Sequence, residues 1–149
     1  MATSVCSSAT ATLDLLARDL GPGERTEFRN RHGLRMTLYV ERLPDVPAGS
    51  RFTVAHAHAG HLGELICDPM VTLLRGMDGS WTPLEISTPF ARVVTAEVGD
   101  TARVVLRDEH RRLVKLVEVW MRQVQANLLG AQPLFQKEEM CSPAEYQTA

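Results

Sequence analysis

RFTVAHAHAGHLGELICDPMVTLL, residues 51–74, carries an alternating pattern around which the rest of the chain is arranged. Phe52, Val54, His56 and His58 alternate with Thr53, Ala55 and Ala57, the period of a strand with two different faces. Ala59-Gly60-His61 can turn the chain, and Leu62 to Cys67 can return as a second strand. Asp68-Pro69 then interrupts the pairing, because proline has no N–H to donate and pushes the residue before it into an extended conformation. Met70 to Leu74 reads as a third short apolar strand.

The pattern continues on both sides. Upstream, Leu34, Met36, Leu38 and Val40 alternate with Arg35, Thr37, Tyr39 and Glu41, which is a half-buried strand. The loop PDVPAGS joins it to the central stretch. Before it, GERTEFRNRHG carries Arg25, Arg29, Arg31 and His32 and reads as a charged, solvated connection. Leu13, Leu16, Ala17 and Leu20 are spaced for a helix that Thr10 or Thr12 caps and Gly21-Pro22-Gly23 stops. Residues 1–9 are small and polar, a flexible N-terminal arm.

Downstream, Gly76-Met77-Asp78-Gly79 is a turn and Trp81 to Ile86 another strand, with Pro83 at an edge or a bulge. Phe90 to Val98 has strand propensity, and Gly99-Asp100 breaks it. Residues 101–106 read equally as a strand or as the first turn of a helix. From Asp108 to Leu129, His110, Leu113, Val117, Trp120 and Val124 recur at steps of three and four, a long amphipathic helix. Val114, Leu116, Val119 and Met121 widen its apolar surface, so a second cover is expected. That cover is the chain's own sheet or an identical helix from a homodimer partner, with Leu113, Leu116, Val117, Trp120 and Val124 as the contacts. Gly130 suits the helix stop, and residues 131–149 read as a flexible C-terminal tail. The expected class is α+β: an antiparallel sheet of about four to six strands, with an N-terminal helix and a long C-terminal helix packed on it. It occupies residues 10–130 as a single domain.

Composition excludes several classes. The 149 residues carry a formal charge of −2, 44% hydrophobic and 23% charged residues, as in an ordinary globular protein. A general nucleic-acid binder would be basic. Nothing approaches the apolar run of about 18 residues that a membrane span needs. The three cysteines, Cys6, Cys67 and Cys141, are scattered and odd in number, which fits a reducing cytoplasm.

His56, His58 and His61 form His-x-His-x-x-His, which resembles the His-x-His-x-Asp-His signature of metallo-β-lactamase-fold hydrolases. Gly60 stands where that family has its aspartate. Three imidazoles suit zinc or nickel, so a metal-binding protein or metal-dependent hydrolase is one alternative. The other reading is a set of strand and turn histidines, with no metal and no cofactor. Glu64 and Asp68 read as a turn carboxylate and a pre-proline aspartate, and Cys67 as a small apolar residue. Arg103, Arg107, Arg111, Arg112 and Lys115 cluster at the start of the long helix; the first three, spaced by four, would share a face. They pair with Asp108, Glu109 and Glu118 along the helix, or they meet an acidic protein or a phosphate backbone.

Ala55-His56, Gly63-Glu64-Leu65-Ile66, Asp68-Pro69, Met70 to Leu74, Gly79, and Trp81 with Pro83 together resemble a functionally uncharacterised domain family of small bacterial mobile-element proteins. The likeness covers roughly residues 34–130, with Met70 where that family often has an acidic residue. It implies a small cytoplasmic protein of a bacterial host, with no catalytic residues to carry over. The expected function is non-enzymatic: inhibition of a bacterial defence system such as CRISPR-Cas by blocking a protein surface. A DNA-associated accessory role is the remaining alternative.

Overall fold

Apolar alternation builds one large antiparallel sheet, and two helices cover one of its faces. The structure, a computed structural model, describes residues 2–30, 37–129 and 135–139. Helix α1 spans Ser7–Leu16. Six strands follow: β1 (Arg25–Asn30), β2 (Thr37–Arg42), β3 (Gly49–Ala59), β4 (Leu65–Gly76), β5 (Trp81–Ser87) and β6 (Arg92–Val94). Then come β7 (Ala96–Val98), β8 (Ala102–Val104), α2 (Arg107–Leu129) and β9 (Phe135–Glu139). The class is α+β. The main sheet has seven strands in the order β6-β5-β4-β3-β2-β1-β9, and β7-β8 is a separate hairpin.

Strand alternation sets which side chains meet the helices. Leu38 and Val40 of β2, Phe52 and Val54 of β3, and Val71 and Leu73 of β4 are all buried. They form one cluster with Leu13 and Leu16 of α1 and with Leu113, Val117, Met121 and Val124 of α2. Each such side chain contributes roughly 1.5–3 kcal/mol when fully buried. Leu74, one step along β4, points the other way and packs with Leu84 and Ala96 in a smaller cluster. Trp81 is the hub of the main cluster: it is 0% exposed and packs on Phe52 with ring centroids 4.9 Å apart. Its indole N–H donates to Asp14 Oδ1 at 2.8 Å, and Arg75 reaches the same oxygen at 3.3 Å.

Several sequence expectations need correction. Residues 2–9, expected within a loose arm, are held in the fold: α1 begins at Ser7, and Val5 is buried. Backbone N–H groups of Thr3, Val5 and Cys6 donate to His110 Nε2, the Trp81 carbonyl and Glu118 Oε2, at 2.9, 2.9 and 2.7 Å. The Glu118 carboxylate therefore sits at the N-terminus of α1, where negative charge is favoured. Thr10 and Thr12 lie inside α1 rather than capping it, and Thr12 bonds back to the Ser8 carbonyl. The helix ends at Leu16, before the expected Leu20, and the left-handed Asp19 (φ 65°) turns the chain.

The charged run at Arg25 is strand β1 rather than a connection, paired with β2 and β9. Its Phe28 faces the core while Glu27 lies on the opposite side. Arg31, His32, Leu34 and Met36 lie outside the described residues. Residues 135–139, expected within a flexible tail, pair with β1; Gly130 and residues 140–149 lie outside the described residues.

Asp68-Pro69 does not end a strand. β4 runs through it, and the two residues face the single His56 of β3, because Ala55 pairs with Met70 and Ala57 with Cys67. Pro69 lacks an N–H, so a bulge is where a strand can hold it. Pro83 likewise sits at a register shift, in a strand flanked on both sides. The segment Phe90 to Val98 is two strands split at Thr95, whose N–H and hydroxyl both donate to the Leu84 carbonyl at 2.8 and 3.0 Å. Residues 102–104 are strand, and α2 starts at Arg107. Gly49 has φ 148°, and a Cβ there would collide with the Arg75 carbonyl, so the β3–β4 contact requires glycine.

Trp81→Ala should cost about 3–5 kcal/mol in guanidinium unfolding, while Leu62→Ala, at a side chain 93% exposed, should stay within about 0.5 kcal/mol. A Trp81→Ala cost below about 1 kcal/mol would contradict its place in the core.

Candidate functional site

The long helix has two apolar stripes, and the sheet takes only one. Leu113, Val117, Trp120, Met121 and Val124 turn inward and are buried. Arg112, Leu116, Val119 and Gln123, at steps of four, three and four, form the neighbouring stripe. Leu116 remains 40% and Val119 50% exposed. Beside them the β4 bulge brings up Pro69 and His56, and Trp120 closes the floor. The result is an open groove of about 700 Å³, lined also by Arg111, Arg112, Lys115 and Gln123. Of the expected dimer contacts, Leu113, Val117, Trp120 and Val124 are therefore taken by the chain's own core; only Leu116 keeps an exposed surface. The physical reason is α1, which packs along α2 and widens the arc of the helix that the fold buries.

His56 is held by that arrangement. Trp120 Nε1–H donates to His56 Nε2 at 3.3 Å, and the rings meet edge to face with centroids 5.0 Å apart. An imidazole accepting at Nε2 carries its proton on Nδ1. Burial holds the His56 pKa below its ordinary 6.5, which keeps the ring neutral. The Nε2 lone pair is thus engaged by an indole. His61 lies in the exposed turn between β3 and β4, where the Glu64 carboxylate accepts the Leu62 N–H at 2.9 Å. Among the described residues, no three His, Cys, Asp or Glu side chains come together to hold a metal ion. His56, His58 and His61 are not such a group. Burial also pushes the Cys67 thiol up, away from thiolate chemistry.

A second histidine, which the sequence placed only in an apolar row, closes a hydrogen-bond chain. His110 is 2% exposed. Its Nε2 accepts the Thr3 N–H at 2.9 Å, so Nδ1 donates to Thr95 Oγ1 at 3.1 Å. Thr95 in turn donates to the Leu84 carbonyl. Desolvation is the main cause of its lowered pKa, opposed by the bond from Thr3.

The basic residues separate. Arg103 belongs to β8 and meets Glu97 at 3.4 Å, so it does not extend the helix face through Arg107 and Arg111. Arg107 opens α2 beside a smaller polar hollow with Thr3 and His110. Arg111, Arg112 and Lys115 edge the groove, and among the described residues none of them makes an ion pair. The expected intrahelical pairing is absent there; Glu118 instead serves the N-terminus of α1. Val119, Gln123 and Pro69 were not anticipated as site residues. The 112-116-119-123 spacing was a signal for the first two, but the bulge that presents Pro69 was not foreseeable from the local pattern.

Among the described residues no helix is long and apolar enough to cross a membrane. Compared with known proteins, the chain matches no family model, no curated protein and no solved structure.

His56 and His110 both have lowered folded pKa values, so between 6.5 and those values the unfolded chain binds more protons. Stability is then full above about pH 6.5 and falls as the pH drops. The melting temperature should be lower at pH 5.5 than at 7.5, a window in which ordinary carboxylates stay ionised, and His56→Phe should flatten part of the slope. Tryptophan emission should report His56 protonation with a midpoint below 6.5; a midpoint above 6.5 would contradict the burial.

Proposed function

We propose that this chain is a non-catalytic binding protein that acts by occupying a surface of a protein partner through the α2 groove. The observation that carries this reading is the exposure of Leu116 and Val119 beside three cations without ion-pair partners among the described residues. An apolar patch with a polar rim is the mark of a protein contact surface. Buried on binding, such a patch contributes roughly 25 cal/mol per Å² of apolar area. The rim charges add steering and selectivity. The histidine of the main hollow already accepts from Trp120, which engages its Nε2 lone pair and supports binding over chemistry. An apolar floor is of little use to a phosphate backbone, which favours a protein over a nucleic acid.

The narrower proposal is that the partner belongs to a bacterial defence system such as CRISPR-Cas. It draws on the likeness of roughly residues 34–130 to mobile-element proteins. Such an inhibitor would block its target sterically.

The test is a phage-plating assay in hosts that carry single defence systems, with the chain supplied on a plasmid. Plaque counts should rise for at least one system and return to the control level with a Leu116→Glu/Val119→Glu variant of unchanged melting temperature. Unchanged counts across the panel would contradict the anti-defence reading. A pull-down whose captured proteins are the same for the chain and this variant would contradict binding through the groove.

A further inference from the structure

We infer that the groove takes an amphipathic helical segment of the partner whose apolar stripe is edged by carboxylates. This rests on the binding role proposed above and names the chemistry of the occupant.

The groove is longer than its main hollow. A second hollow of about 180 Å³, bordered by Ile86, Val93, Thr95 and Glu109, shares Arg112 and Leu116 with the first. The two form one trough beside α2, from the edge strand β6 at one end to Pro69 and His56 at the other. Its wall is the Arg112-Leu116-Val119-Gln123 stripe, whose four-three-four spacing is the seam into which a second helix interdigitates. From Arg112 to Gln123 the seam rises roughly 16 Å, about three helical turns. An open trough of that length fits an elongated apolar element better than a compact ligand.

Charge selects among such elements. Arg111, Arg112 and Lys115 line the main hollow, and the one carboxylate bordering the second hollow, Glu109, leaves these cations in excess among the described residues. Carboxylates on the occupant would meet them at the edge of a dry seam, where an ion pair is screened less than on open surface. A second copy of α2 does not supply them. A twofold axis between Leu116 and Val119 sets Arg112 against Gln123 and Lys115 against Trp120. Glu118, which would be the nearest carboxylate on such a copy, is already bonded to the Cys6 N–H. Self-pairing would thus set these cations against neutral side chains, whereas an acidic partner helix neutralises them.

The test uses synthetic labelled helical peptides of about 15 residues, enough to span the seam. One carries a leucine stripe edged with glutamates, a second has lysines in place of the glutamates, and a third has serines in place of the leucines. Fluorescence anisotropy with the full chain should show saturable binding of the first, and at least about tenfold weaker binding of the other two, a factor worth about 1.4 kcal/mol. The double variant Arg112→Glu/Lys115→Glu, checked for folding by circular dichroism, should reverse the preference toward the lysine peptide. Equal binding of the glutamate and lysine peptides, or no reversal in the variant, would overturn the inference. So would a dimer in light scattering that Leu116→Glu/Val119→Glu converts to monomer, because the occupant would then be a second copy. A captured partner that binds the Arg112→Glu/Lys115→Glu variant undiminished overturns the trough assignment and leaves the binding role standing. Selective peptide binding with no effect on phage plating supports the trough and counts against the anti-defence reading.

Discussion

The packing of α2 on the sheet fixes both the core and the groove beside it. Its inward stripe fills the main core, and histidines tie it to the sheet at two heights. Near the start of the helix, His110 joins the N-terminal segment to Thr95. Further along, Trp120 donates to His56 on β3. Between them Glu118 accepts the N–H of Cys6, the residue just before α1. Remove the apolar packing and these polar contacts lose their geometry; remove the polar contacts and buried donors are left without acceptors, which costs about 1–3 kcal/mol each. Packing and polar satisfaction therefore select one rotation of the helix about its axis.

That rotation makes the candidate site. With Val117, Met121 and Val124 turned inward, the residues one step around the helix must face outward beside the sheet. Leu116 and Val119 cannot reach the core without withdrawing the residues that fill it. The bulge at Asp68-Pro69 supplies the opposite wall, because a proline-bearing strand departs from the regular ladder at that point. Arg111, Arg112 and Lys115 sit outside the buried arc for the same geometrical reason. An apolar floor edged with cations is thus a consequence of the rotation that the core imposes.

Much of this was legible in the sequence. Alternation in Leu38–Val40 and Phe52–Val54, and the three-and-four spacing from His110 to Val124, are local patterns, and the structure repeats them. Other features depended on distant partners. Strand β1 is rich in charge, and its Thr26 and Phe28 are buried only because β2 and β9 flank the strand and the helices pack over Phe28. The N-terminal residues look loose until their acceptors, more than a hundred residues away for Thr3 and Cys6, are in place. Periodicity also did not separate the two stripes of α2. Leu113 and Leu116 read alike as apolar helix positions, and only the packing of α1 decides that one is core and the other surface. The histidine triplet was misleading in the opposite sense: spacing placed His56, His58 and His61 close in sequence, while the fold gives His56 to Trp120.

Helix α2 commits one stripe to its own core, and on the proposed reading it offers the other to a partner. Hydroxyl-radical footprinting of the free chain and of its complex with a captured partner reads those side chains directly. The expected result is that Leu116, Val119 and Pro69 lose reactivity in the complex, while Leu62, Met77 and Phe90, exposed by 93%, 87% and 96%, keep theirs. Undiminished reactivity of Leu116 and Val119 in the bound state would contradict it.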